Sequence, residues 1–263
     1  MAYNEIDESA ENITMMPRWL SKPPSLIDPE VVKRSLVDYK NNNLFHYLSQ
    51  TFNVQVATNL AQAYVVGTTD HWPGANTLWR KNQNGHVQFG ELVLFDSATG
   101  RRRKELEHTP IQVHSHLKLA SFNAVPCFFG EHLLKNRPTN IVAVVEREET
   151  AMIASIFKPD WVWIAVGDTN MFERYNLQVL SNRKVVVFST LSDHDHKRKF
   201  WEKLHMSLSL ISGCQVTVST YLQDKSTNER RVAEFDIADV LVRYRDKGTG
   251  IIPDDLNEDA VLG

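Results

Sequence analysis

From residue 139 onward, short apolar runs alternate with amphipathic stretches. The runs are NIVAVVE, WVWIAVG, KVVVF and CQVTVSTYL, and a helical pattern follows each of them. Parallel strands need long crossover connections, which are usually helices, so this order is typical of a parallel sheet covered by helices. The sequence therefore predicts an α/β domain with a mainly parallel sheet over residues 139–248.

The part of the chain before residue 139 has a different pattern. Asp28, Pro29 and Glu30 form an N-cap, a first-turn proline and a dipole-favourable acid, which predict a helix to about Tyr39. Two further short helices are predicted in NLFHYLSQTF and ATNLAQAY, before a period of two appears in ANTLWRKN and HVQFGELVLF, which QNG joins. We expect an α+β region with antiparallel hairpins over residues 28–138.

The two ends of the chain lack these periodicities. Residues 1–27 mix acidic and polar residues with prolines, which predicts a flexible N-terminal arm, and residues 249–263 are expected to form a C-terminal tail. No apolar run approaches the roughly 20 residues that a bilayer span needs, so no membrane contact is expected. The two cysteines, Cys127 and Cys214, are too few for a Cys-rich zinc site and are expected to be reduced thiols of a cytoplasmic protein.

Composition limits the kind of partner. With 42% hydrophobic and 23% charged residues, the 263-residue chain can bury a normal core. Its formal net charge of -3 argues against coating nucleic acid by bulk electrostatics, so any contact with nucleic acid must be local.

Ligands of open α/β sheets bind beyond the carboxyl ends of the strands. The residues that close the predicted strands are Glu146, Gly167 with Asp168, the 189–195 segment and, after the last strand, Asp236 with Asp239. These residues are the candidates for a functional site.

Several of these segments resemble a known family. VVEREETAMIASIFKPDWVWIAVGD is similar to the opening of Toprim domains, in which a glutamate ends the first strand and a glycine ends the second. HWPGANTLWRKNQNGHVQFGELVLFDSATGRRRK, FFGEHLL and DIADVLV look like landmarks of an uncharacterised Toprim-like, primase-related family of Bacteroidetes mobile elements. The resemblance covers roughly residues 29–245. It implies DNA or RNA handling, with single-stranded nucleic acid and replication or mobilisation proteins as partners.

The chain departs from that pattern in three places. It lacks the cysteines of the N-terminal zinc ribbon that members often carry. It has Glu148 and Glu149 at what we expect to be an exposed helix start, where Toprim domains show a lysine or a neutral residue. By register, the Asp-x-Asp pair of Toprim domains falls on Thr190 and Ser192, and Asp193 and Asp195 arrive three residues late.

The late arrival of this pair leaves two interpretations open. If the loop folds back, Asp193 and Asp195 hold Mg²⁺ beside Glu146, which acts as a general acid or base in nucleotidyl or phosphoryl transfer. Otherwise Asp193 caps the following helix, no cofactor is bound, and the protein acts by binding. We favour the second, a catalytically degenerate binding protein. An enzyme and a protein-interaction module are the alternatives.

Basic residues mark a candidate nucleic-acid surface. They are Arg80 and Lys81 on the first hairpin strand, and Arg101, Arg102, Arg103 and Lys104 after the second. Tandem basic residues near Trp79 and Phe89 suit a groove that follows phosphates and stacks bases. The alternative is a solvated charged face with a buried Trp79.

Overall fold

A computed structural model describes residues 22–224 and 227–246 of the chain. The predicted C-terminal tail and most of the predicted N-terminal arm lie outside the described residues. Residues 22–27 of that arm are described, and Ile27 is buried with its amide nitrogen bonded to the Val87 carbonyl oxygen at 2.8 Å.

The first half of the described chain contains an antiparallel sheet with the order β1-β2-β3-β4. Its elements are α1 (Pro29–Ser35), α2 (Asn43–Thr51), α3 (Val54–Ala63), β1 (Val66–Thr68), β2 (Asn76–Lys81), β3 (Val87–Val93), β4 (Ile111–Gln112) and α4 (Val113–His116). Asp28 caps α1 as predicted, because its carboxylate accepts the Glu30 N–H at 2.8 Å. The helix ends at Ser35, before the predicted Tyr39.

The second half contains a parallel sheet with the order β6-β5-β7-β8. Its elements are β5 (Val142–Val145), α5 (Glu148–Phe157), β6 (Val162–Ala165), β7 (Lys184–Val187), α6 (Asp195–Ser209), β8 (Gln215–Val218), α7 (Tyr221–Asp224), α8 (Asn228–Val232) and α9 (Ile237–Asp246). All three neighbouring strand pairs are parallel. The predicted fold class is confirmed.

The two faces of β5 belong to two different parts of the core. Val142 and Val144 face a cluster that includes Trp201 and Leu204 of α6. Ala143 and Val145 face a larger cluster, to which α2, α3, α5, α9 and the antiparallel sheet all contribute. The larger cluster therefore joins the two sheets across the predicted boundary at residues 138/139.

Arg80 of β2 is buried between the two sheets. Its side chain is 1% exposed, and its guanidinium donates to the Val166 carbonyl oxygen at 2.6 Å, to Glu148 Oε1 at 2.8 Å and to the Tyr175 hydroxyl. The prediction that Arg80 contacts nucleic acid is therefore wrong. Since a charge costs much free energy to bury without partners, β2 delivers this cation to acceptors that the parallel half supplies.

The aromatic neighbours of Arg80 are buried, as the alternative interpretation expected for Trp79. Trp79 and Phe89 are buried, and the Trp79 indole donates to Ser35 Oγ at 2.7 Å, so neither ring is available to stack bases. Glu148 and Glu149 are buried as well, which corrects the expected exposed helix start. Burial of the apolar rings in β2 and β3 is the ordinary outcome for a strand packed on both faces.

Glu131, in the FFGEHLL segment, is another buried ionisable group. It is 3% exposed and accepts the Phe128 N–H at 3.2 Å and, at 3.4 Å, the Gln83 N–H. Burial raises the pKa of this carboxyl to about 7, although the two N–H groups oppose the rise.

We expect Arg80→Met to lower the free energy of unfolding by about 3 to 5 kcal/mol, because it breaks a buried ion pair and leaves Glu91 without its nearest cation. Urea denaturation measures the change. Lys81→Met, one residue along the same strand, is the matched control and should stay within about 0.5 kcal/mol of the parent. A loss below about 1 kcal/mol in Arg80→Met would contradict a central role for this residue.

A pH prediction follows from Glu131. Between pH 4.5, the ordinary pKa, and about 7, the unfolded chain releases this proton while the folded protein keeps it, so stability falls as the pH rises. Glu131→Gln should remove that fall. Between pH 4 and pH 8, the free energy of unfolding of the variant relative to that of the parent should therefore rise by up to about 3 kcal/mol. Denaturation at both pH values, with the exposed Glu107→Gln as control, tests this. Equal pH profiles for parent and variant would refute it.

Candidate functional site

A cleft of about 480 Å³ opens at the carboxyl edge of the parallel sheet. Glu146 after β5, Gly167 after β6 and Thr190 after β7 lie along it, as the rule for open α/β sheets predicts. The opposite walls come from the 101–104 segment after the antiparallel hairpin and from Lys197 of α6. Both halves of the protein therefore contribute to the cleft.

Glu148 lines the cleft with a side chain that is 0% exposed. Its carboxylate lies between Arg80 and Arg102 and is bonded to both. Burial works to raise the pKa of Glu148, but the charges of Arg102 and Arg80 outweigh it and hold that pKa below its ordinary value. Gly167 lies against this pair with a φ of +71°, and a Cβ there would overlap both Arg80 and Glu148. The strand-ending glycine is thus required by a close approach as well as by its backbone.

Glu149 faces the same cleft with weaker partners. Its carboxylate lies 3.6 Å from Arg147 Nε and 3.9 Å from Arg102 Nε, and neither oxygen accepts a hydrogen bond from the described residues. Burial raises the pKa of Glu149 against the opposing charges of Arg147 and Arg102. Glu149 is therefore a buried acid whose hydrogen-bonding capacity is unused within the described part of the chain.

The RRRK segment connects the two halves. Arg101 pairs with Asp239, Arg102 with Glu148, and Lys104 with Glu234 at 2.9 Å. Arg103 instead pairs with Asp96 and Glu105, which belong to its own half. Three of these four cations thus reach carboxylates of the parallel half. Lys81, at the end of β2, is not among the side chains that line the cleft.

Asp236 and Asp239, predicted site residues after the last strand, lie beside Arg147. The Arg147 Nε donates to Asp236 Oδ2 at 2.9 Å, and Asp236 Oδ1 accepts the Ala238 N–H at 3.0 Å. Asp236 therefore starts α9 and holds Arg147 at the same time. Sequence reasoning placed both aspartates near the site but gave no sign of their cationic partners.

Lys197 binds the carboxylate that ends β5. Its Nζ lies 2.9 Å from Glu146 Oε1 and 2.9 Å from Glu234 Oε1. Burial works against the charge of Lys197, but Glu146 and Glu234 raise its pKa above the ordinary value. Burial also opposes ionisation of Glu234, yet the hydrogen bonds from Lys104 and Lys197 lower its pKa to about 2. Sequence reasoning did not identify Glu234.

Asp193 and Asp195 have partners other than those of Glu146. Asp195 is the first residue of α6 and pairs with Arg198 and Lys199 of the same helix, and its side chain is 58% exposed. Asp193 is 59% exposed and lies 4.0 Å from Arg231 Nη1. Neither lines the cleft. The predicted capping role of Asp193 is wrong, because His194 occupies the N-cap position of α6.

A Toprim-type Mg²⁺ site does not fit these residues. Such a site needs several oxygen ligands at roughly 2.0 to 2.1 Å from one ion. Glu146 is engaged by Lys197, and the register position of the first aspartate is occupied by the hydroxyl of Thr190. Within residues 22–224 and 227–246, no group of three or more His, Cys, Asp or Glu side chains is arranged to hold a metal ion.

The structure is similar, at low sequence identity, to primase catalytic domains. One is the DnaG primase catalytic domain bound to ssDNA, with 11% identity, 83% of this chain and 74% of that chain covered, and a TM-score of 0.48. The E. coli primase catalytic core has 10% identity, coverage of 82% and 81%, and a TM-score of 0.45. For the primase fragment of the bacteriophage T7 primase-helicase protein, the identity is 12%, the coverage 78% and 80%, and the TM-score 0.40.

Sequence comparison gives one family match. A family model described as a domain of unknown function, DUF6371, matches residues 42–191. No curated protein matches the chain. None of the helices in the described ranges has the length and apolar character needed to cross a membrane.

Calorimetric titration of the parent protein with Mg²⁺ or Mn²⁺ should show no site tighter than about millimolar that depends on Glu146, because Lys197 already neutralises this carboxylate. Glu146→Gln should leave the titration unchanged. Micromolar affinity that both Glu146→Gln and Asp193→Asn abolish would contradict this prediction and favour the enzyme.

Proposed function

Since the chain belongs to the DUF6371 family, whose function is unknown, we propose from its site that it is a primase-related protein that binds nucleic acid at the cleft and acts by binding. The ligand would be single-stranded DNA or RNA, and the setting a mobile element with replication or mobilisation proteins as partners. Metal-dependent nucleotidyl transfer through Glu146, Asp193 and Asp195 is not favoured, because the three carboxylates do not line one site.

One observation carries the proposal: cationic side chains from three distant segments converge on the cleft. They are Arg101, Arg102 and Lys104, then Arg147, and finally Lys197. A nucleic-acid backbone is a chain of phosphates, and most contacts with it are made by such side chains. The five cations outnumber by one the four glutamates that line the same cleft, so its formal charge is slightly positive although the whole chain carries -3.

The cations differ in how readily they can exchange a carboxylate for a phosphate. Lys104 is 80% exposed and its bond to Glu234 is a surface ion pair, which typically contributes 0 to about 1 kcal/mol. Arg101 is 34% exposed. Arg102 lies against the buried Glu148 and is held more firmly. We therefore assign phosphate contact mainly to Lys104 and Arg101, and a supporting role to Arg102.

A protein-interaction role is supported by one separate feature. Leu106, two residues after the RRRK segment, is 93% exposed, and Leu117 and Leu119 are 38% and 40% exposed. Exposed apolar side chains of this kind are suited to contact with a partner protein. This surface would serve a replication or mobilisation protein beside the bound nucleic acid.

The salt dependence of oligonucleotide binding tests the cleft. Each phosphate contact contributes about 0.7 to the log-log salt slope for single strands, so the double variant Arg101→Ala, Lys104→Ala should flatten the slope by about 1.4. Fluorescence anisotropy with a labelled single-stranded oligonucleotide at several salt concentrations measures it. Arg102 is left unchanged because its loss would expose a buried carboxylate.

Two controls make this experiment specific. Lys33→Ala, Lys40→Ala removes the same charge from positions that do not line the cleft, and should leave the slope unchanged. Arg103→Ala, next to the changed residues but outside the cleft, should also leave it unchanged. Equal slopes for the cleft variant and the controls, or no binding by the parent at low salt, would remove nucleic acid from this site.

A further inference from the structure

We propose that Lys197 is the resident cation of the cleft: its ammonium group holds the place of a divalent metal ion between Glu146 and Glu234 and bonds a phosphate oxygen of the ligand directly. The phosphate contact rests on the proposed function. The position of the Lys197 ammonium group between Glu146 and Glu234 is independent of that function. The proposal identifies the ligand group as a phosphate that is bound without a bridging metal.

The position of the ammonium group supports the first part. Lys197 Nζ lies 2.9 Å from an oxygen of Glu146 and 2.9 Å from an oxygen of Glu234, so the two oxygens are at most about twice that distance apart. A divalent ion bound between them would have to replace the ammonium group, because two cations this close repel each other strongly. The second oxygen of Glu146 is buried and accepts no hydrogen bond from the described residues.

The third hydrogen-bond donor of Lys197 supports the proposed contact with a phosphate oxygen. An ammonium group has three donors, and Glu146 and Glu234 accept two of them. Among the described residues no third hydrogen bond of Lys197 is found, and its side chain lines the cleft together with Arg102 and Lys104. A phosphate oxygen in the cleft is a suitable acceptor for the third donor.

Two neighbouring groups complete the site. Thr190 lines the cleft at the register position where Toprim domains have their first aspartate. A hydroxyl does not repel a phosphate as a carboxylate does. A hydroxyl in place of an acid and the presence of a lysine therefore both favour the binding of a phosphate. Glu149 is 4% exposed, lines the same cleft and has no hydrogen-bonded partner among the described residues, so a donor of the ligand can bind there.

The first experiment measures metal binding without any nucleic acid. Lys197→Met removes the ammonium group and should give Mn²⁺ a site that binds at least tenfold more tightly than any in the parent, measured by calorimetry. Adding Glu146→Gln should abolish the new site. Lys199→Met, on the exposed face of the same helix, should gain no site. Absence of a gain in a folded Lys197→Met protein, checked by thermal unfolding, would overturn the resident-cation role.

The second experiment begins with the parent protein, so its first comparison needs no variant. Its affinity for a short 5′-phosphorylated single strand should be equal within about twofold in EDTA and in Mg²⁺ at matched ionic strength. Lys197→Arg should retain binding and Lys197→Met should lose it at least fivefold. A requirement for Mg²⁺ would overturn direct phosphate contact. If the parent binds no strand under any condition, the proposed function and the phosphate contact fail together, and the Mn²⁺ titration alone decides the place of Lys197.

Discussion

The fold depends on a guanidinium buried between two sheets. Arg80 extends from the antiparallel sheet and meets the carbonyl oxygen at the end of β6 and the carboxylate at the start of α5. A buried charge is tolerated only when its partners are in place, so this contact fixes the two halves relative to each other. Gly167 makes the approach possible, because a side chain there would occupy the space of Arg80 and Glu148.

From Arg80, alternating charges lead outward to the cleft. Glu148 bonds both Arg80 and Arg102, Glu149 lies near Arg102 and Arg147, and Arg147 is held by Asp236. Each cation is flanked by acids, so the cleft is close to neutral at its base. In the proposed function, the exposed Lys104 and the partly exposed Arg101 exchange a carboxylate for a phosphate. A chain with a slightly acidic net charge thus has a cleft in which the cations outnumber the acids by one.

The cleft has the position expected for a site in an α/β fold, but its charged groups differ from those of a metal site. The cleft lies at the edge of the sheet where ligands of α/β folds bind. Glu146 also occupies the strand end that a Toprim-type acid would occupy, but it is neutralised by Lys197 rather than left available for a metal ion. In the proposed function, the cleft is a binding site in which a lysine and a hydroxyl lie where a metal site would need acidic groups.

The sequence by itself determined the local structure. The periods of the apolar residues predicted the antiparallel hairpin and the parallel strands, Asp28 predicted the start of α1, and the strand ends predicted the edge at which the cleft lies. These features are encoded within a few neighbouring residues, since backbone preference and side-chain alternation act over short distances.

Only the tertiary structure decided which charges are buried and with whom they pair. Arg80 and Glu148 are 68 positions apart, Lys197 and Glu146 are 51 apart, and Arg101 and Asp239 are 138 apart. In sequence, an arginine on a strand of period two has the same appearance whether it faces solvent or a buried acid. The role of Asp193 was predicted wrongly for the same reason. An acid that precedes a helix has the same appearance in sequence whether it caps the helix or lies near a distant cation. The pairing of distant charges depends on how the sheets pack, and no local pattern records it.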